Sequence, residues 1–191
     1  MITDVIQSKM SLIDDSIMRS NLTCIGYTSG KGERMMNLFL SKFNPYKINN
    51  ITSPFSLHPY IRDVKIGLIL GEGDRNIKFN TFILIDVHDI DTVITDTIIR
   101  SKMIRRICEN LRSDSFKFGY KVIMTSSVYR TIEPEKELTL YGGTSLIYAS
   151  DLVIVFTDTG IKISKSRYNI IVDDFLISYE ELQIFRTFEL C

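Results

Sequence analysis

Cysteine is scarce in this chain: three residues in 191, at positions 24, 108 and 191, with no CxxC pair. So few, so widely spaced and odd in number, they exclude a disulfide framework and a cysteine-based zinc site, and suit a reducing cytoplasm. Histidine is rarer still, and His58 and His88 alone cannot build a histidine metal centre. Neither sign of charge dominates, since Lys plus Arg and Asp plus Glu number 23 each. Any nucleic-acid contact would therefore need a local patch rather than a basic protein as a whole. No apolar run approaches the roughly 18 residues of a membrane span, and the first residues, with Asp4 and no long apolar stretch, do not read as a signal peptide. Repeats, low-complexity tracts and linkers are also lacking. The expectation is a cytoplasmic protein without membrane contact, folded as a single domain over residues 1–191.

What is present is apolar patterning. Ile6, Met10, Ile13 and Ile17 recur at helical spacing, predicting a helix over 3–18 that packs either on its own sheet or, as a strap within residues 1–20, on a neighbouring subunit. Leu22–Ile25 predicts a strand entering a glycine turn, and Met35, Met36, Phe39, Leu40 and Phe43 mark a following helix. Further strands are expected near 47–52, 64–70, 81–85, 121–124, 152–156, 161–164, 170–172 and 175–177, with a helix through Ile104, Ile107, Cys108 and Leu111. Such alternation, closed by a run of strands, predicts an α/β sheet, parallel in the middle, with antiparallel strands at its C-terminal edge.

A glycine turn between a strand and a helix N-terminus is suited to phosphate, because backbone N–H groups and the helix dipole both favour an anion there. Gly26, Thr28, Ser29, Gly30, Lys31, Gly32 and Glu33 are the candidate nucleotide-binding residues, with Lys31 reaching the terminal phosphates. The pattern departs from G-x-x-x-x-G-K-[ST] in two ways: the glycine spacing is one residue short, and Gly32 stands where the Mg²⁺-binding hydroxyl would be. Asp86, closing the apolar run Phe82–Ile85, is the candidate ligand for Mg²⁺.

The stretch KVIMTSSVYRTIEPEKELTLYGGTSLIYASDLVIVF resembles the corresponding region of RecA-family recombinases, especially those of large bacteriophages. Gly142, Gly143, Tyr148, Ala149, Ser150 and Asp151 match a pattern in which two glycines precede YAS-D. SKSRYN, Ser164 to Asn169, resembles the K-x-R-[FYW]-[GN] segment of hexameric DnaB-type helicases and RadA-type motors. The resemblance implies a RecA-like twisted sheet with helices on both faces. It also implies ATP with Mg²⁺ as cofactors, and a ring or filament of like subunits, or a hetero-assembly of related ones, on single-stranded DNA. It gives Lys165 and Arg167 the role of stabilising a neighbour's γ-phosphate, and Ser127 that of a polar sensor. It puts DNA contacts on loops after Asp86 and Ser127, the second carrying Arg130 and Lys136 ahead of Gly142 and Gly143.

The same families usually carry a glutamate base about two dozen residues past the phosphate-loop lysine. Here that region, Thr52–Ser56, holds no carboxylate, leaving Glu33 or Glu72 as substitutes. Arg100, Lys102, Arg105 and Arg106 form a further basic cluster that could meet phosphates. Two functions stay open on the sequence: a DNA-dependent ATPase of replication or recombination in a phage-type system, and a catalytically degenerate relative serving as scaffold, loader or regulator.

Overall fold

Leu22–Tyr27, Phe82–Asp86, Lys121–Tyr129 and Leu152–Phe156 are rich in β-branched and other apolar side chains, which favour extended chain covered on both faces. In the computed structural model, which describes residues 2–48, 82–91, 96–129, 139–168 and 176–182, these segments are β1, β3, β4 and β6 of one mixed sheet. Short strands β2 (Tyr46–Ile48), β5 (Thr139–Leu140) and β8 (Leu176–Ser178) join it, as does β7 (Gly160–Ser166). The helices are α1 (Ile2–Arg19), α2 (Lys31–Ser41), α3 (Val87–Asp91), α4 (Thr97–Phe118) and α5 (Gly143–Ala149). The expected strands at 64–70 and 170–172 lie outside the described residues.

The strand order is β2-β3-β4-β1-β6-β7-β8, with β5 pairing to the end of β4. From β2 through β6 every pairing along this path is parallel, while β6–β7 and β7–β8 are antiparallel. The α/β class and the antiparallel C-terminal edge are thus as the apolar pattern indicates.

Period-two alternation divides the sheet's side chains between two cores. Leu22, Cys24, Ile83, Ile85, Val122, Met124, Val153 and Val155 face α4 and α5, meeting Ile104, Ile107, Cys108, Leu111 and Leu146. Ile25, Phe82, Ile123, Leu152, Ile154 and Phe156 face the other way, onto Ile6, Ile13 and Ile17 of α1 and Met36, Phe39 and Leu40 of α2. Within the chain the N-terminal helix packs on its own sheet through Ile6, Ile13 and Ile17.

Two elements run longer than their apolar runs suggest. β1 includes Gly26 and Tyr27, and β4 continues through Thr125, Ser126 and Ser127 to Tyr129, because flanking strands supply ladder partners to these polar positions. α4 is bounded by firm signals: the Asp96 carboxylate accepts from the N–H groups of Ile98 and Ile99, and Gly119 closes the helix at φ 75°. The segments α3 and β5 are too short for periodicity to announce.

The connections set the edge at which the candidate site lies. After β1 the chain enters α2 on one face, whereas after β3 and β4 it enters α4 and α5 on the other. Adjacent β1 and β4 are therefore followed by helices on opposite faces, which opens a crevice beyond their carboxyl ends.

Candidate nucleotide and nucleic-acid site

The turn after β1 begins later than the glycine spacing suggests. Gly26 lies within β1, paired to both β4 and β6, and a Cβ there would press on the Leu140 side chain. The side chains of Leu140 and Val128 crowd the position, which favours glycine there. The turn proper, Thr28 to Lys31, is anchored by Thr28 N–H donating to Phe156 O at 2.9 Å and closed by Glu33 N–H donating to Thr28 O at 2.9 Å. Gly30, at φ 85°, caps α2 with no side-chain bond and with open space where a Cβ would stand. Among the described residues nothing accepts from the N–H groups of Ser29 to Gly32, leaving an α2 N-terminus whose donors are free to meet an anion.

The side chains of the turn are engaged elsewhere. Thr28 Oγ1 donates to Asp158 Oδ1 at 3.0 Å, and Lys31 Nζ lies 4.9 Å from the ring centroid of Tyr179. Tyr179 is buried, its hydroxyl has no hydrogen-bond partner among the described residues, and burial followed by the nearby Asp158 charge pushes its pKa up to about 12. Gly32 packs so closely that a Cβ would lie 2.5 Å from both Phe156 O and Thr28 Oγ1. Glu33 is exposed at the first turn of α2.

Asp86 ends β3 beside Thr125 of β4. Its Oδ1 accepts from the His88 N–H at 2.8 Å, and its Oδ2 accepts from Thr125 Oγ1 at 3.1 Å. The carboxylate thus caps α3 while staying at the sheet edge. Asp89, one turn on, has its carboxyl pKa raised by burial and by the Asp86 charge.

On the α4 side of the same edge lies a cleft of about 520 Å³, lined by Arg100, Ser101, Ile104, Ser127, Tyr129, Tyr141, Gly142 and Gly143. Tyr141 is its centre. The ring stacks on His88, with centroids 4.2 Å apart and planes 19° apart, and the Arg100 guanidinium carbon lies 5.4 Å from its centroid. The Tyr141 hydroxyl accepts from Arg100 at 3.4 Å, and its N–H donates to Ser127 O at 2.8 Å. His88 Nε2 and Ser127 Oγ are 2.8 Å apart. Gly142 and Gly143, both at positive φ, turn the chain into α5. Arg130 and Lys136, the other nucleic-acid candidates, lie outside the described residues.

Lys165 and Arg167 sit at the opposite end of the sheet, where antiparallel β7 meets the start of β6. Lys165 Nζ donates to the carbonyls of Ile147, Tyr148 and Ser150 at 2.6–3.0 Å, capping α5. Burial first, then the Arg167 and Arg112 charges, draw its pKa below the ordinary lysine value, with Asp151 opposing. Arg167 pairs with Asp151 Oδ1 at 3.1 Å, the atom that also meets Arg112 at 3.3 Å. The buried Asp151 carboxylate further accepts from the N–H groups of Asn21 and Leu22. Lys165 is thus held by three carbonyls of its own chain, whereas Arg167 makes an ion pair with Asp151 while its side chain stays 41% exposed.

The structure thus gathers Thr28–Gly32, Asp86 and Ser127 at one edge, and holds Lys165 and Arg167 away from it. A phosphate group fits the turn: free N–H donors, an uncrowded Gly30 and an exposed lysine at the helix start. A divalent ion fits only as the partner of a bound phosphate, because the Asp86 carboxylate is already engaged by the His88 N–H and Thr125 and no hydroxyl follows Lys31. Among the described residues no cluster of three or more His, Cys, Asp or Glu side chains is suited to a metal.

Reading the sequence in segments missed His88 and Tyr141, which acquire their partners only through pairing of β3 with β4 and of β4 with β5. A His two residues past a strand-end aspartate and an aromatic directly before Gly-Gly were the available signals. Among the described residues no helix is long and apolar enough to cross a membrane. No protein-family model and no curated protein matches the chain.

Proposed function

We propose that this chain is a RecA/DnaB-like nucleotide-binding subunit that acts on single-stranded DNA in a replication or recombination assembly. The observation that carries the reading is the strand order. With β4 inserted between the strand leading to the glycine turn and the strand ending in Asp86, the turn, Asp86 and Thr125–Ser127 share one edge, at the point where the following helices change faces. Ligands of open α/β sheets bind in such a crevice.

In this reading the N–H groups of Ser29 to Gly32 hold the β- and γ-phosphates of ATP, and Lys31 leaves the Tyr179 ring to neutralise them. Asp86 is the residue that would hold Mg²⁺, and that ion would offset the charge developing on the phosphates. The cleft between α4 and β4, with Arg100 for backbone phosphate and Tyr141 and Tyr129 for base stacking, receives the DNA strand.

A non-hydrolysing scaffold or loader of the same fold is favoured by one specific observation: Lys165 and Arg167 are engaged inside the chain. Measuring ATP binding and DNA-stimulated hydrolysis for the wild type beside Lys31→Ala and Arg167→Ala separates the two. The motor reading expects ATP binding that Lys31→Ala weakens at least about tenfold, or about 1.4 kcal/mol, and hydrolysis that Arg167→Ala suppresses. Binding without turnover in the wild type supports the scaffold. No binding at all overturns both as nucleotide proteins.

A further inference from the structure

We propose that His88 is the positioning residue that links the nucleotide edge of the sheet to the nucleic-acid cleft, so that the two ligands affect each other's affinity through it. This rests on the function proposed above and adds a named route to it. His88 touches both sides. Its N–H donates to Asp86 Oδ1 at 2.8 Å, fixing the start of α3 to the carboxylate at the nucleotide edge. Its Nε2 reaches Ser127 Oγ at 2.8 Å, and its ring lies on Tyr141 at 4.2 Å, and both of these residues line the cleft.

The surrounding bonds make the link stiff. Thr125 Oγ1 ties Asp86 to β4, Tyr141 N–H ties the cleft turn to Ser127, and Ser126 Oγ donates to Tyr141 O. Any displacement of Asp86 on engaging a phosphate-held cation moves the first residues of α3. The imidazole must then shift against Ser127 or carry Tyr141 with it. Arg100, bonded to the Tyr141 hydroxyl, follows. Coupling between sites travels through packed and hydrogen-bonded groups of this kind, and its size is measurable as a reciprocal change in affinity. The residue that fills this place is a histidine because a flat ring with a hydrogen-bonding edge can stack and bond at once.

The test uses the full chain, a fluorescent oligothymidylate, and a non-hydrolysable ATP analogue with Mg²⁺. The quantity read is the ratio of oligonucleotide Kd without and with the analogue. The wild type is expected to show a ratio differing from one by at least about fivefold. His88→Ala should bring the ratio to one, while His88→Gln, which can still bond Ser127 and present a flat amide to Tyr141, should recover most of it. Ser127→Ala, which removes the hydroxyl partner, should bring the ratio closer to one as well, and it serves in place of His88→Ala if that variant does not fold. A wild-type ratio kept by His88→Ala, or one lost equally in His88→Ala and His88→Gln, overturns the proposal. So does a wild type that binds both ligands with a ratio of one. A wild type that binds no analogue overturns the nucleotide reading itself, and this inference with it.

Discussion

At position 32 a Cβ would lie 2.5 Å from a main-chain carbonyl, Phe156 O, which cannot swing aside as a side chain can. Serine at 32 is the change that would restore a hydroxyl after Lys31. It should instead push α2 off the end of β6 and destabilise the fold by about 1–3 kcal/mol. Thermal denaturation of Gly32→Ser checks this, and unchanged stability would show that the turn has more room than the packing allows. Asp151 is the other residue whose removal should be felt. It accepts from two arginines and two backbone N–H groups while buried. Asp151→Asn puts an amide donor against these donors and should cost about 2–4 kcal/mol, lowering Tm by roughly 5–15 °C. The glycines at 26, 30 and 32 were legible as a turn signal, but the reason for each was not. Gly26 and Gly32 answer to Leu140 and Phe156, more than a hundred residues away in sequence.

The elements divide in the same way between what patterning reveals and what pairing creates. The long helix α4 and the buried strands β1, β3, β4 and β6 follow from apolar spacing, because a face or a run must be covered whatever the partner is. The cleft does not follow from it. Its ring stack and its His88–Ser127 bond arise where β3, β4 and the chain after β5 converge, and no local pattern records that convergence. Lys165 shows the reverse case, in which a motif match is answered by local geometry. Its ammonium closes the C-terminus of α5, where carbonyls lack helical partners and a cation is favoured. Lys165→Met should therefore cost about 1–2 kcal/mol in the isolated chain, seen as a lower denaturation midpoint before any assembly is tested. Unaltered stability would release Lys165 for a role at a neighbour.

For the whole molecule, the two cores hold buried groups whose ionisation folding resists. Burial raises the Cys24 thiol well above the ordinary thiol range and, with Glu109, pushes Cys108 to about 12. Folded thiols thus keep protons that unfolded thiols give up, so the unfolded state binds fewer protons and stability falls as pH rises. The loss should begin near pH 9 and approach about 1.4 kcal/mol per pH unit for each thiol. Tyr27 and Tyr179, each raised to about 12 chiefly by burial, add to it above the ordinary tyrosine range. Urea unfolding at pH 7.5 and at pH 10 should show a clear drop in midpoint, and equal midpoints would mean that the cores admit water. The proposed function depends on the edge shared by the glycine turn and Asp86. It is tested most directly by a crystal structure grown with a non-hydrolysable ATP analogue and Mg²⁺. The expected result is phosphate density against the N–H groups of Ser29 to Gly32, with Lys31 moved from the Tyr179 ring onto the phosphates. An analogue bound elsewhere, or a turn left empty with Lys31 still on Tyr179, would contradict it.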